Sequence, residues 1–225
     1  MTAEASASDH RRWLADGVRQ RILLRALPAQ RHDVLGPLSA MRLALALVKT
    51  RLAADPPDVD RVRAKVGELD DQLAAAIAAV KLLRLWDGGG RPTDALAACA
   101  DCVAMLRVSM ALRGHQLAEP AVHDDAVPPQ LPCPDVHYAI LGLLLHVQDT
   151  AGVRCLLAPK VTPAGLRLDA TPLPGVSPLV APPPTGAQPR PTSVEADALG
   201  WLVEEMGWRV ARDDAGWLLA WSAPS

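Results

Sequence analysis

The chain has 225 residues, 50% of them hydrophobic and 21% charged, with a formal net charge of −2 and a pI near 6.3. That length allows one large or two small domains with a sizeable core, and the near-neutral charge excludes nucleic-acid binding through a global field. The polar start, Met1 to His10, and the lack of any run of about 18 apolar residues give no signal peptide and no membrane span, so a cytoplasmic protein is expected.

Residues from about Arg12 to Leu27 read as a helix, with Trp13, Leu14, Val18, Ile22, Leu23 and Leu27 as its apolar set. Pro28 lacks an amide proton and either kinks this helix or begins a new one. From there Arg31, Val34, Leu38, Met41, Leu45, Val48 and Leu52 alternate steps of three and four, an apolar heptad seam apart from its first residue. Ala54-Asp55-Pro56-Pro57-Asp58 ends the segment, and Asp58 is placed to cap the next helix. That second helix carries Val59, Val62, Val66, Leu69, Leu73, Ala76, Val80, Leu83 and Asp87 on the same spacing, with Leu82, Leu85 and Trp86 widening the stripe. A turn this short makes the helices antiparallel neighbours. Two helices cannot bury so much apolar surface alone, so a homodimer forming a four-helix bundle is expected.

Gly88-Gly89-Gly90 breaks the pattern and reads as a hinge, after which short elements alternate. The expectation is an amphipathic helix over Thr93 to Arg113 and a strand over Gln116 to Val122. A strongly apolar helix over Pro134 to Val147 comes next, then paired strands over Val153 to Leu157 and Leu166 to Asp169. Thr171 to Thr192 is too rich in proline for regular structure, and Pro182-Pro183-Pro184 within it is a mobile loop or a ligand for an aromatic groove. Ser193 to Met206 is a last helix. Trp208 to Ala211 and Trp217 to Trp221 form a closing hairpin around Asp213-Asp214-Ala215-Gly216, with Trp201, Trp208, Trp217 and Trp221 as a C-terminal core. The fold class is α+β: a helical hairpin over residues 1–87, then an α/β sandwich with a mixed sheet over 91–225.

His32-Asp33, with Pro37-Leu38 five residues after the histidine and a heptad hairpin around them, resembles the dimerisation and histidine phosphotransfer domain of sensor histidine kinases over roughly residues 20 to 87. The order of the later elements is similar to the ATP-binding domain of those kinases, but its motif residues are replaced. Gly142 and His146 stand at the asparagine positions of the metal-holding helix, and Asp169-Ala170-Thr171-Pro172-Leu173 stands where an Asp-x-Gly-x-Gly box would be. The lid glycines give way to the proline-rich stretch, and only Ala196 to Leu202 echoes the last glycine box. A retained phosphotransfer hairpin with a degenerate nucleotide domain resembles the dimeric histidine phosphotransferases of the ChpT type. That resemblance implies a bacterial two-component phosphorelay, in which His32 passes phosphate between the aspartates of response-regulator receiver domains without ATP. Receiver domains are then the partners, with a hybrid histidine kinase as a further candidate. The chain itself binds no cofactor, metal, membrane or nucleic acid, and the Mg²⁺ comes from the receiver.

The chemistry suits those residues, since a relay needs a nucleophile that is neutral near pH 7, attacks in line and yields a labile bond. His32 lies next to Arg31 of the seam, at the margin of the bundle, where solvent or a partner reaches it. Asp33 can accept a hydrogen bond or orient a proton, and Pro37 leaves the Asp33 carbonyl without its helical partner. Leu35, Ser39 and Arg42, on the turns below, are the candidates for receiver docking. The competing readings are a plain surface histidine on a non-catalytic adaptor and an active kinase with unusual ATP contacts. Cys99 and Cys102, with His115 and His123 downstream, have a partly finger-like spacing, but seven residues separate the histidines where three to five are usual. Together with Cys133 and Cys155 they read as reduced thiols, because four cysteines are too few for a disulfide framework.

Overall fold

A computed structural model describes residues 3–83, 86, 91–123, 126–174, 193–214 and 216–221. Leu85, Asp87, the Gly88–Gly90 hinge, Ala215 and the proline-rich segment from 175 to 192 lie outside the described residues. The elements are α1 (Ala3–Leu52), α2 (Val59–Leu83), β1 (Pro92–Asp94), α3 (Ala95–Leu112), β2 (Gln116–Leu117), β3 (Ala121–Val122), β4 (Gln130–Pro132), α4 (Asp135–Thr150), β5 (Cys155–Thr162), β6 (Gly165–Pro172), α5 (Ala196–Glu205), β7 (Arg209–Asp213) and β8 (Gly216–Ala220). They form two units, Leu27–Asp87 and the remainder, Met1–Ala26 with Gly88–Ser225.

The first unit is the expected hairpin. Asp58 caps α2 as its position suggested, its Oδ1 accepting the Arg61 N–H at 3.2 Å. At the other end the Trp86 indole N–H donates to Gln30 Oε1 at 3.1 Å, which fixes the antiparallel pairing. α1 is continuous through both Pro28 and Pro37, so of the two outcomes expected of Pro28 it does not begin a new helix. Each heptad seam divides into two rows. Val34, Met41 and Val48 on α1, and Val62, Leu69 and Ala76 on α2, are at least half-buried. Leu38, Leu45 and Leu52, with Val59, Val66, Leu73 and Val80, are between 46 and 57% exposed. Both exposed rows keep a seven-residue spacing.

In the second unit, helices cover one face of a mixed sheet of order β2-β5-β6-β8-β7, with β3 also pairing β5. β2 and β3 run parallel to β5, and the pairs β5–β6, β6–β8 and β7–β8 are antiparallel. β5 alternates buried and half-buried residues along its whole length, as expected of a sheet with one covered face. The first 26 residues belong here rather than with the hairpin, whose unit begins at Leu27 and not at residue 1 as expected. Ala15, Val18, Ile22 and Ala26 of α1 are buried, and the Ile22 side chain reaches Gly142. Arg25 forms a two-pronged ion pair with Asp149, and Arg19 bonds Glu205 Oε2 at 2.5 Å. With α1 over it and the sheet beneath, α4 is buried at every residue from Val136 to Gln148, which is why its sequence is apolar all round.

Two short strands, β1 and β4, pair antiparallel where no strand was expected, and the expected strand from Gln116 to Val122 is two strands separated at Ala118–Pro120. α3 starts later than expected, because Asp94 accepts the Leu96 and Ala97 amides at 2.9 and 3.0 Å and so acts as its N-cap. Among the described residues α3 is the one helix long and apolar enough to cross a membrane; it packs on α4 and β5.

Candidate functional site

His32 lies on α1 one turn before Pro37, and its imidazole is 75% exposed. Its Nδ1 is 3.4 Å from Asp33 Oδ1. With its proton on Nδ1 the ring donates to this carboxylate, and Nε2 then carries the lone pair. Asp33 is half-buried, which limits the freedom of its carboxylate beside the ring. Pro37 has no N–H, so the Asp33 carbonyl lacks the usual donor four residues on.

Leu35, Ser39 and Arg42 are all exposed. The Ser39 hydroxyl donates to the Leu35 carbonyl at 2.8 Å, folding it back on the helix. Leu43, which sequence reasoning did not single out, continues this outward side with 65% of its surface exposed. Nor was Gly36 singled out. It is the residue four after His32, on the same helix face, and a Cβ built there meets nothing within 4 Å.

In the second unit Gly142, His146 and Asp169, which the sequence comparison set against nucleotide-motif positions, are each engaged with other residues of the unit. A Cβ on Gly142 would meet Leu199 Cδ1 at 3.1 Å, Ile22 Cδ1 at 3.2 Å and Leu202 Cδ2 at 3.4 Å, an apolar contact between helices. His146 is buried, donates from Nδ1 to the Val194 carbonyl at 2.6 Å, and meets the Trp217 ring edge-on at 4.7 Å. Asp169 is paired with Lys160 at 2.9 Å and Arg167 at 2.8 Å, and hydrogen bonding from Lys160, then from Arg167, holds its carboxyl below the usual range. Beside α4, a cavity of about 180 Å³ is lined by Thr150, Gly152, Cys155, Arg212 and Trp217 among others.

The finger-like residues do not meet. Cys99 and Cys102 are buried in α3, where burial pushes the Cys99 thiol up to about 12. His115 Nδ1 instead accepts the Cys155 amide at 3.2 Å, and no group of three or more metal-ligating side chains forms among the described residues. A different row went unnoticed in the sequence. Cys133 Sγ is 3.7 Å from His137 Nδ1, and His137 Nε2 is 3.6 Å from Asp101 Oδ2. The order is that of a nucleophile, a base and an orienting acid, yet burial and then the charges of Asp101 and Asp135 push the Cys133 thiol up, which keeps it protonated. The four-residue spacing of Cys133 and His137 at a helix start was the one available signal.

No protein-family profile matches the chain, and no curated protein does. Among solved structures, the chain is similar to the histidine kinase AdeS of Acinetobacter baumannii, with a TM-score of 0.38 and 10% identity over 86% of this chain and 98% of that one. It is also similar to a histidine kinase from Burkholderia phymatum STM815, with a TM-score of 0.36 and 16% identity over 87% of this chain and 98% of that one.

Proposed function

We propose that this protein is a dimeric histidine phosphotransferase that moves a phosphoryl group between the aspartates of response-regulator receiver domains through His32, without consuming ATP. The observation that carries the reading is an exposed imidazole whose Nδ1 faces a neighbouring carboxylate, on a hairpin with two rows of unburied apolar residues. In the forward step the Nε2 lone pair of neutral His32 attacks the phosphorus of a receiver's aspartyl phosphate. The N–P bond forms as the P–O bond to the aspartate breaks, and the aspartate leaves as a carboxylate. The ring then carries a positive charge with its proton still on Nδ1, where Asp33 stabilises it, so no proton needs to leave. The reverse step delivers the phosphoryl group to a second receiver. The receiver's Mg²⁺ neutralises charge on the phosphoryl oxygens, and this chain supplies the positioned nucleophile.

The ATP-independent part of the proposal is supported by how Gly142, His146 and Asp169 are used. The test is transfer from receivers phosphorylated in the absence of ATP. Wild type should acquire acid-labile label and His32→Ala none, whereas no labelled protein with any receiver of the source genome removes the reading. A second reading, an adaptor that holds a receiver without chemistry, is favoured by exposed Leu35 beside the histidine and exposed Leu43 further along the same helix. Receiver binding undiminished in His32→Ala, with no transfer by wild type, would select it.

A further inference from the structure

We propose that Gly36 is a positioning residue that keeps the path to His32 open for a receiver's phosphoaspartate loop; this rests on the phosphotransfer reading above. In a helix, side chains lean toward the N-terminus, so any side chain at position 36 would lie over the turn that carries His32. Glycine leaves that ground bare. The next outward residue of the same face, Ser39, has its hydroxyl tied down to the Leu35 carbonyl at 2.8 Å. The surface on the C-terminal side of the imidazole is therefore low, with exposed Leu35 as a shoulder on one flank.

Nothing inside the fold calls for glycine here. A Cβ at position 36 meets no atom within 4 Å, so close packing is not the reason. The backbone is helical, unlike that of Gly114 and Gly207, whose positive φ favours glycine. Helix propensity opposes glycine in a helix interior. A residue before proline does lose part of its helical freedom through its Cβ. Yet Leu27 precedes Pro28 within the same helix and keeps a full side chain, so the helix tolerates a Cβ at such a site. What remains is the space in front of the ring. The occupant it suits is the receiver of the proposed relay, because its aspartyl phosphate has to come within reach of the imidazole and in line with it for transfer.

The test uses the full chain as wild type, Gly36→Ala, Gly36→Leu and, as a control, Gly67→Ala. Gly67 is an α2 glycine with equally open surroundings. Each is given two phosphoryl donors: a panel of phosphorylated receivers with Mg²⁺, and the small molecule phosphoramidate. Transfer from the receiver should fall about 10-fold in Gly36→Ala and about 100-fold in Gly36→Leu. Phosphoramidate labelling of His32 should stay at the wild-type rate, melting temperatures should stay at or above wild type, and Gly67→Ala should behave as wild type. Receiver transfer by Gly36→Leu equal to wild type overturns the inference. So does a parallel loss with phosphoramidate, or a fall in melting temperature in both Gly36 variants. A wild type that accepts phosphate from phosphoramidate but from no receiver overturns the phosphotransfer reading, and this inference with it.

Discussion

The two exposed heptad rows make the oligomeric state the most consequential quantity to measure. Leu38, Leu45, Leu52, Val59, Val66, Leu73 and Val80 each keep between 46 and 57% of their surface exposed on the single hairpin. Complete burial of such a side chain is worth about 1.5–3 kcal/mol, so covering the remaining half of each adds about 1 kcal/mol, or about 7 kcal/mol per protomer. A symmetric pair therefore gains about 14 kcal/mol against an association cost of roughly 4–15 kcal/mol, which allows a dimer with a modest surplus. Replacing Leu45 and Leu73 by aspartate removes about 4 kcal/mol of that gain per dimer and adds several kcal/mol of charge desolvation, which exceeds the surplus. Sedimentation velocity at micromolar concentration should find a dimer for the wild type and a monomer with unchanged helical circular dichroism for Leu45→Asp/Leu73→Asp. A wild type that stays monomeric to high micromolar concentration, or a double variant that still dimerises, refutes the argument from the exposed rows.

Two further outcomes concern the second unit. Arg25 and Asp149 are both less than a tenth exposed, and Asp149 also accepts the Val194 amide at 3.0 Å. Asp149→Ala leaves a buried guanidinium without its carboxylate, and should cost about 3–5 kcal/mol in urea unfolding; an unchanged midpoint would mean that Arg25 finds another partner. His115 is 1% exposed, and burial, then Arg113 and Arg154, lower its pKa from the ordinary 6.5. The folded state therefore holds the ring neutral while the unfolded state takes up a proton. The stability this contributes is complete above pH 6.5 and is lost as pH falls from there through the folded pKa. Melting temperatures between pH 7.5 and 5.5 should fall more steeply for wild type than for His115→Gln, and parallel curves would assign the acid sensitivity to other groups.

How much of the fold is legible in the sequence depends on which interactions are local. The heptad spacing of Val34, Met41, Val48 and of Val62, Leu69, Ala76 declares a packed hairpin, because neighbouring turns of one helix set that pattern. It could not say which half of each seam would stay bare, since both rows are equally apolar. The place of the first 26 residues was illegible for a similar reason. Helical periodicity shows that Val18 and Ile22 are buried but names no partner, and apart from Asp16 the carboxylates that bind Arg19 and Arg25 lie more than a hundred residues along the chain. β1 and β4 escaped because three residues rich in proline carry no strand pattern; only their mutual pairing, Thr93 opposite Leu131, makes them strands.

The candidate site divides along the same line. His32, Asp33 and Pro37 could be marked from adjacent letters, and the exposure of the ring is a consequence of its position beside the seam. The state of the nucleotide-motif positions needed coordinates. Missing letters alone leave open that the motif has shifted by a residue or two along its helix or strand. The coordinates replace that gap with occupants: two leucines and an isoleucine against Gly142, a carbonyl and an indole against His146, and two cations on Asp169. These occupants come from α1, α5, the segment before α5, β5, β6 and β8, so no single substitution recreates a metal clamp. An asparagine at 142 would have to displace side chains from both α1 and α5 before it could reach a ligand. The relay proposed above needs no such clamp, because there the phosphoryl group comes from a receiver's aspartyl phosphate to Nε2 of His32.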